Sequence, residues 1–293
     1  MNAIAPAAPS LAAWDKVQIA RHPQRPHTLD YIRRLCPDFF ELRGDRSFGD
    51  DQALIGGVGR TALGPIVLLG HQKGVSTKEN LRHNFGMPHP EGYRKALRLM
   101  QYAEKFNFPV VCLLDTPGAA PSLAAEERGQ ARAIAQSILT MTSLATPIIA
   151  VVTGEGSSGG ALAVGVCDRL LMLEHSIYSV ASPEASATIL WRDATKAADA
   201  AQAMKITAQD LFSFGLVDEI IAEPDGGAHL DRETAIADTI AAILRQLDAL
   251  HHLNIQHVLC DRYSRYRSIG AVHERLSVYK ALPTREAQPA LAR

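Results

Sequence analysis

One stretch, an apolar run followed at once by glycines, constrains the fold of this chain more than any other. The run Ile148-Ile149-Ala150-Val151-Val152 is rich in β-branched residues and begins after Pro147, which predicts a buried parallel strand. The glycines of Gly154–Gly165 then turn the chain into a short, alanine-rich helix. Glycines at a helix start leave backbone N–H groups uncovered, and such groups favour negative charge. The stretch therefore predicts a site that binds or stabilises an oxyanion.

A second strand that ends in a glycine turn precedes the first one. The predicted strand Val110–Leu114 leads into Asp115-Thr116-Pro117-Gly118-Ala119, and Ala124–Leu144 supplies the next predicted helix. Further upstream, Ala53–Arg60 and Ile66–Gly70 form a predicted β-hairpin. Because the order of strand, glycine loop and helix occurs twice, the sequence indicates a layered α/β fold.

The remaining segments complete this pattern. Gln72–Gly92 is polar and too long for an ordinary connection, so we interpret it as a functional or mobile loop. Thr207 and Asp231 are placed to cap two helices. The further predicted elements are short strands at 169–173, 176–181 and 216–221 and helices at 11–20, 29–35, 93–106, 183–191, 194–204 and 208–214, and the tail from Leu282 is predicted to be disordered.

Composition excludes several classes of function. Lys and Arg number 30 against 31 Asp and Glu, so no overall field points to nucleic acid or to an anionic membrane. The four cysteines lie far apart in sequence, without the close pairs that zinc ligands usually form. No stretch approaches the ~20 apolar residues of a membrane span, and Met1–Ser10 lacks the features of a signal peptide. We expect a reduced, cytoplasmic protein that holds no metal.

The glycine stretch also allows a different chemistry. Gly156-Ser157-Ser158-Gly159-Gly160 satisfies the Gly-x-Ser-x-Gly pattern of a serine hydrolase, in the required context between a strand and a helix. Ser158 would then be the nucleophile, and Asp218 and His229 would complete a triad. A purely structural use of the glycines, for close packing of helix against strand, is a further alternative, although their number exceeds what a turn needs.

Longer ordered strings carry a resemblance to a known family. From about Trp14 to about Tyr266 the chain resembles the α subunits of the bacterial-type acetyl-CoA carboxylase carboxyltransferases, members of the crotonase superfamily. The strings that carry it are Arg21-His22-Pro23-Gln24-Arg25-Pro26, Gly70-His71-Gln72-Lys73-Gly74, Asn84-Phe85-Gly86-Met87-Pro88, the run from Pro90 to Met100, Asp115–Ala119, Glu126-Glu127-Arg128-Gly129-Gln130 and Gly226-Gly227-Ala228-His229.

The resemblance implies an activity and a set of partners. Carboxybiotin, attached to a biotin carboxyl carrier protein, would give its carboxyl group to acetyl-CoA and form malonyl-CoA, for fatty-acid synthesis or a specialised pathway. A biotin carboxylase would recharge the biotin, and a β subunit carrying a zinc module would complete an α2β2 assembly. The implied fold is crotonase-like, with a helical segment and linker at residues 1–37, the carboxyltransferase domain at 38–255 and a tail at 256–293.

The resemblance also assigns residues to the site. The backbone amides of Gly159 and Gly160 would form the hole for the ureido oxygen of biotin, whereas the hole for the acetyl-CoA enolate would belong to the β subunit. We expect the pocket to include Gly118, Ala119, Gly156, Ser157 and Ser158, and Lys73, Lys78 and Arg82 to contact CoA or the carrier. His71 is interpreted as a buried or loop hydrogen-bonding residue and Glu155 as a brace of the loop.

Several residues depart from the family pattern. Family members usually have Gly in place of Ser157, Tyr in place of Ala120, Gly in place of Ser122 and Gly-Cys in place of Ala185-Ser186. The Cβ atom of Ser157 would exclude a backbone conformation that only glycine adopts. These departures fit a specialised paralogue, or a catalytically silent one that only binds the β subunit or the carrier.

Overall fold

An eight-stranded sheet organises the chain, and the computed structural model describes residues 11–270. The strand order is β1-β2-β3-β4-β5-β6-β8, and β7 pairs with the end of β5. The first three strands are antiparallel, and β3 to β6 and β8 run parallel. The strands are β1 (Phe40–Glu41), β2 (Leu54–Thr61), β3 (Gly64–His71), β4 (Val110–Thr116), β5 (Ile148–Ser157), β6 (Arg169–Leu173), β7 (Ile177–Ser179) and β8 (Glu219–Ile221).

Helices cover both faces of the sheet, as expected where parallel strands are buried on both sides. On one face α4 and α6 pack over the even-numbered residues of β4, and on the other face α2 and α11 pack over the odd-numbered ones. The helices are α1 (Ala13–Ala20), α2 (Thr28–Leu35), α3 (Thr77–Arg82), α4 (Pro90–Phe106), α5 (Leu123–Glu127), α6 (Gln130–Ser143), α7 (Ser158–Leu162), α8 (Pro183–Trp191), α9 (Ala197–Met204), α10 (Ala208–Ser213), α11 (Arg232–His251) and α12 (Ile255–Ser268).

Much of the predicted secondary structure is confirmed, with two corrections. The hairpin of β2 and β3 forms, and Thr207 and Asp231 cap α10 and α11. The segment Gln72–Gly92 is not one long loop, because it contains α3 and a short 3-10 turn. The helix predicted at Ala124–Leu144 is two helices, since Gly129 adopts φ +85° between them. The tail predicted to be disordered lies outside the described residues.

The glycine-rich stretch itself begins as a strand rather than as a turn. β5 continues through Gly154 and Gly156 to Ser157, and every residue in it is buried. A methyl group on Gly154 would lie 2.5 Å from a carboxylate oxygen of Asp115, and one on Gly156 would lie 2.7 Å from the ring of Tyr178. These two glycines therefore serve close packing, and the turn begins only at Ser158.

Arg262 in α12 provides a test of how the last described helix is attached. Its buried guanidinium makes two 2.7 Å bonds to Asp168 and donates to three backbone carbonyls. Arg262→Met would leave the Asp168 carboxylate buried without its partner, so the free energy of unfolding should fall by about 3–5 kcal/mol in urea titrations. Arg245→Met, which removes an exposed ion pair to Glu219, should cost less than about 1 kcal/mol. Equal costs would contradict this assignment.

Candidate active site

Two backbone turns meet at the carboxyl edge of the sheet, where β4 and β5 end. The first turn follows β4 and contains Gly118 and Ala119, and the second opens α7 with Gly159 and Gly160. A methyl group on Gly160 would lie 2.4 Å from the nitrogen of Ala119 and 2.5 Å from the carbonyl carbon of Gly118. The two turns therefore touch, backbone against backbone, and only glycine at position 160 permits this contact.

The first turn is held in shape by its own side chain. The Thr116 hydroxyl donates to the carbonyl of Gly118 at 2.7 Å and accepts the N–H of the same residue at 3.0 Å. Gly118 has φ +147°, a conformation that L side chains rarely adopt. The Gly118 N–H is thus already bonded within the turn, so the next residue, Ala119, is better placed to donate to a ligand.

The second turn starts α7 without a capping side chain. Ser157, the residue before this five-residue helix, makes no side-chain bond to its first amides. The early amides of a helix have no partner within the helix, and here they belong to Ser158, Gly159 and Gly160. Gly159 is half-buried, and a methyl group there would contact only Ile134, at 3.6 Å, so the backbone of Gly159 has open space on that side.

The strain in this turn lies at Ser158 and not at Ser157. Ser157 has φ −129° and ψ 140°, an extended conformation open to any residue, and its hydroxyl lies 3.5 Å from that of Ser179. Ser157 therefore does not adopt a conformation that only glycine allows, and its Cβ causes no backbone strain. Ser158 instead has φ +59°, which costs a residue other than glycine roughly 1–3 kcal/mol.

Buried side chains support both turns from behind. The Tyr93 hydroxyl donates to the carbonyl of Gly160 at 3.3 Å. The side-chain amide of Gln130 donates to the carbonyls of Pro88 and Ala120, at 2.8 and 3.1 Å. Ala120 is itself buried, and its N–H donates to the carbonyl of Pro88. The turns thus rest on α4, α6 and the connection before α4.

A cluster of buried charges lies under the same edge of the sheet. The Lys73 ammonium donates to Asp115 at 2.8 Å and to Glu155 at 2.9 Å, and the Glu155 N–H donates to Asp115 at 3.2 Å. Burial alone would raise the pKa of the Asp115 carboxyl, but Lys73 and His27 hold it well below its usual range. Asp115 therefore stays ionised at neutral pH.

The cluster extends to the N-terminal segment. Arg21 bonds Glu155 at 2.8 Å and Glu184, in the first turn of α8, at 2.6 Å. Arg21, His27, Lys73 and Asp115 line a cleft of about 290 Å³ beside the turns. The linker of the N-terminal segment thus forms one wall of the cleft.

The three cations expected to contact CoA or the carrier occupy different environments. Lys73 is committed to two carboxylates and is only 15% exposed, so it is not a free cation for phosphate. Lys78 is exposed on α3, and Arg82 is exposed and bonds the side chain of Gln52. Lys73 is therefore part of a buried ion-pair cluster, whereas Lys78 and Arg82 lie on the surface.

The triad required by the hydrolase interpretation is not assembled. Asp218 accepts the N–H of Leu170, which pairs with Ala150, seven residues before Ser157 in β5. At about 3.3 Å per residue, roughly 23 Å of strand separate Asp218 from the serine turn. His229 stacks on His22 instead, with ring centroids 3.9 Å apart.

Other departures from the family pattern have structural uses. Ser122 caps α5 by accepting the N–H of Ala125 at 3.2 Å, and Ser186 is buried in α8. Glu155 braces the loop as predicted. Sequence reasoning missed the ion pairs that connect Lys73 to Asp115 and Glu155. The signal available in the sequence was a charged residue near the end of each of three buried strands.

Within residues 11–270, no helix is both long and apolar enough to cross a bilayer. The same described part of the chain contains no group of three or more His, Cys, Asp or Glu side chains arranged to hold a metal ion.

Comparison with known proteins places this chain in a family. A family model described as acetyl co-enzyme A carboxylase carboxyltransferase-like matches residues 4–270. The chain belongs to this family. It is 55% identical to the acetyl-coenzyme A carboxylase carboxyl transferase subunit alpha of Xanthomonas axonopodis pv. citri, over 89% of this chain and 82% of that protein. It is 54% identical to the subunit of the same name in Bacillus cytotoxicus, over 90% of this chain and 81% of that protein.

Comparison of the fold with solved structures also finds a carboxylase-related enzyme. Transcarboxylase 12S superposes with a TM-score of 0.65 at 19% identity, over 85% of this chain and 47% of that chain. The carboxyltransferase subunit thus has the crotonase-like fold predicted from its sequence, and it spans about half of the transcarboxylase chain. Family membership favours the carboxyltransferase interpretation over the hydrolase.

The contact between the two turns predicts opposite outcomes for neighbouring glycines. Gly160→Ala places a methyl group against backbone atoms of the other turn, which cannot rotate away, so the midpoint of thermal unfolding should fall and the turns should separate. Gly159→Ala meets only a methyl group of Ile134 and should unfold near the wild-type temperature. Calorimetry of both variants checks this. An unchanged midpoint for Gly160→Ala would contradict the contact.

His71 predicts a pH dependence of stability. Burial lowers the pKa of its imidazole to about 4, against about 6.5 in an unfolded chain. Between these values the unfolded chain binds a proton that the folded protein does not, so the free energy of unfolding should fall as the pH drops from about 6.5 to 4. His71→Gln should flatten this dependence in urea titrations, and His257→Gln, at an exposed position, should not. An unaltered slope in His71→Gln would refute the assignment.

Proposed function

We propose that this chain is the α subunit that transfers a carboxyl group from carboxybiotin to acetyl-CoA, giving malonyl-CoA, in the cytoplasm. The observation that carries the proposal is the contact of two glycine turns, which gathers uncapped backbone amides at one edge of the sheet. The names of the relatives, which are α subunits of acetyl-CoA carboxylase at 54–55% identity, support the choice of substrate.

The residues fit a biotin ureido group. Carboxybiotin, held on a biotin carboxyl carrier protein, would supply the carboxyl group. Negative charge would develop on the ureido oxygen as the N–C bond breaks, and the released biotin would take the proton that the methyl group of acetyl-CoA loses. The N–H groups of Gly159 and Gly160 donate to that oxygen, and their backbone positions change little between ground and transition states. Removing one such donor from an enzyme costs about 10²–10³-fold in kcat, so two fixed amides suffice for a large share of the catalysis.

The neighbouring groups shape the pocket around this hole. Ala119 and Gly118 form the opposite wall, while Gly156, Ser157 and Ser158 lead into the amides. Ser158 contributes through its backbone, since its side chain lacks the triad partners that would make it a nucleophile. Lys78 and Arg82, exposed on α3, are available to attract the phosphates of CoA or acidic surface on the carrier.

The proposal requires partners. The name "subunit alpha" of the relatives supports a second subunit, and we assign to that β subunit the enolate hole and the zinc module. An α2β2 assembly, served by the carrier and a biotin carboxylase, then completes the reaction.

Reconstitution tests the function. This chain, mixed with the β subunit of the same cell, biotinylated carrier and biotin carboxylase with its substrates, should form malonyl-CoA, measured by chromatography. Ser158→Ala should retain turnover, because the hydroxyl takes no part, and folded protein should not be labelled at Ser158 by a fluorophosphonate. Absence of malonyl-CoA would contradict the proposal and favour a subunit that only binds. Labelling of Ser158, together with an esterase activity that Ser158→Ala loses, would restore the hydrolase.

A further inference from the structure

The hydrogen bonds between β4 and β5 fail where the active site begins. Leu114 pairs with Val152, but Thr116 pairs with Gly156, so β5 gains two residues over β4 in this interval. Regular ladder bonds fix the spacing of strands only where the register is kept. The spacing of the two turns that follow therefore needs another source.

Side chains replace the missing ladder bonds in this interval. Asp115, on β4, accepts the N–H of Glu155, on β5, at 3.2 Å. The Lys73 ammonium then bonds the same Asp115 oxygen at 2.8 Å and a Glu155 oxygen at 2.9 Å. One cation thus bridges two residues close to the ends of β4 and β5.

The position of Lys73 is itself fixed. Its stem passes under Gly86, where an added methyl group would lie 2.9 Å from Lys73 Cγ and 3.0 Å from the carbonyl oxygen of Asp115. The next residue, Gly74, is bonded through both its N–H and its carbonyl to the side chain of Asn80. These contacts fix the backbone and the side-chain stem of Lys73. The ammonium therefore cannot move together with either carboxylate.

The charges make this bridge necessary. Asp115 and Glu155 have side chains only 5% and 6% exposed, and without Lys73 they would face each other across the break in register. Arg21 bonds only the other oxygen of Glu155 and does not reach Asp115, whose second oxygen lies 3.6 Å from His27. Two buried carboxylates without a shared cation repel each other and draw in water, which would move the strand ends apart.

We propose that Lys73 is a positioning residue that sets the distance between the Gly118–Ala119 turn and the Gly159–Gly160 turn. It touches no reacting atom. Its effect on catalysis rests on the proposed function, because the amides of the second turn must face the ureido oxygen across a gap that the first turn bounds. A misplacement of about 1 Å can cost roughly 10²-fold in rate.

Lys73→Met, which keeps the stem and removes the ammonium, tests this inference. In the assembled complex we expect kcat to fall about 10²-fold, with KM for acetyl-CoA within about twofold. Hydrogen exchange should quicken at Gly118 and Ala120 in the first turn, at Glu155 near the end of β5, and at Ala163, whose N–H donates to the carbonyl of Gly159 in the second turn, and not in α11. Lys73→Arg, which retains a cation able to bond two carboxylates, should recover most of both losses.

A matched control separates positioning from stability. Lys95→Met removes another buried lysine, which bonds Asp50 at 2.6 Å and lies on α4. It should lower the unfolding midpoint without quickening exchange in the two turns. If Lys73→Met does not fold, Glu155→Gln serves in its place. This variant retains the shape of the side chain and removes one of the two carboxylates that bond the Lys73 ammonium.

The outcomes are distinct. Quickened exchange in both turns with rescue by Lys73→Arg supports the inference. Wild-type exchange in both turns, or a kcat loss no larger than that of Lys95→Met, overturns it. If the wild-type complex makes no malonyl-CoA, the proposed function fails, while the exchange measurement still decides whether Lys73 sets the spacing.

Discussion

The contact of Gly160 with the backbone of Gly118 and Ala119 is the constraint on which the site depends. Two strands that run parallel through the core must end with their turns in van der Waals contact, and a single methyl group at position 160 would forbid this. The glycines of this run thus have two different structural roles. Gly154 and Gly156 admit neighbouring side chains to β5, and the last two glycines shape the turn itself.

Electrostatics complements this packing. The chain places Asp115 and Glu155 near buried strand ends, where two carboxylates alone would be costly. Lys73, from the segment after β3, and Arg21, from the N-terminal segment, compensate them. The same contacts join the N-terminal segment, three strand ends and α8. Charges that would otherwise destabilise the fold therefore define one wall of the cleft beside the amides.

Local patterns predicted much of this architecture, and long-range contacts account for what they missed. The apolar run before Gly154, the hairpin and the caps at Thr207 and Asp231 are each encoded in a few neighbouring residues, so sequence reasoning found them. The family resemblance supplied Gly159 and Gly160. The pairing of Lys73 with residues 42 and 82 positions away has no local signature, so the sequence indicates only a cation that could contact CoA or the carrier. The backbone angles that distinguish Ser158 from Ser157 likewise depend on the tertiary contacts of β5.

A structure of the assembled complex with biotin bound tests the central claim most directly. The account predicts that the backbone nitrogens of Gly159 and Gly160 lie about 2.7–3.1 Å from the ureido oxygen, the range expected of donors in an oxyanion hole. It also predicts that the Ser158 hydroxyl makes no contact with the reacting atoms. A ureido oxygen remote from both nitrogens, or bonded instead by side chains of the partner subunit, would contradict it.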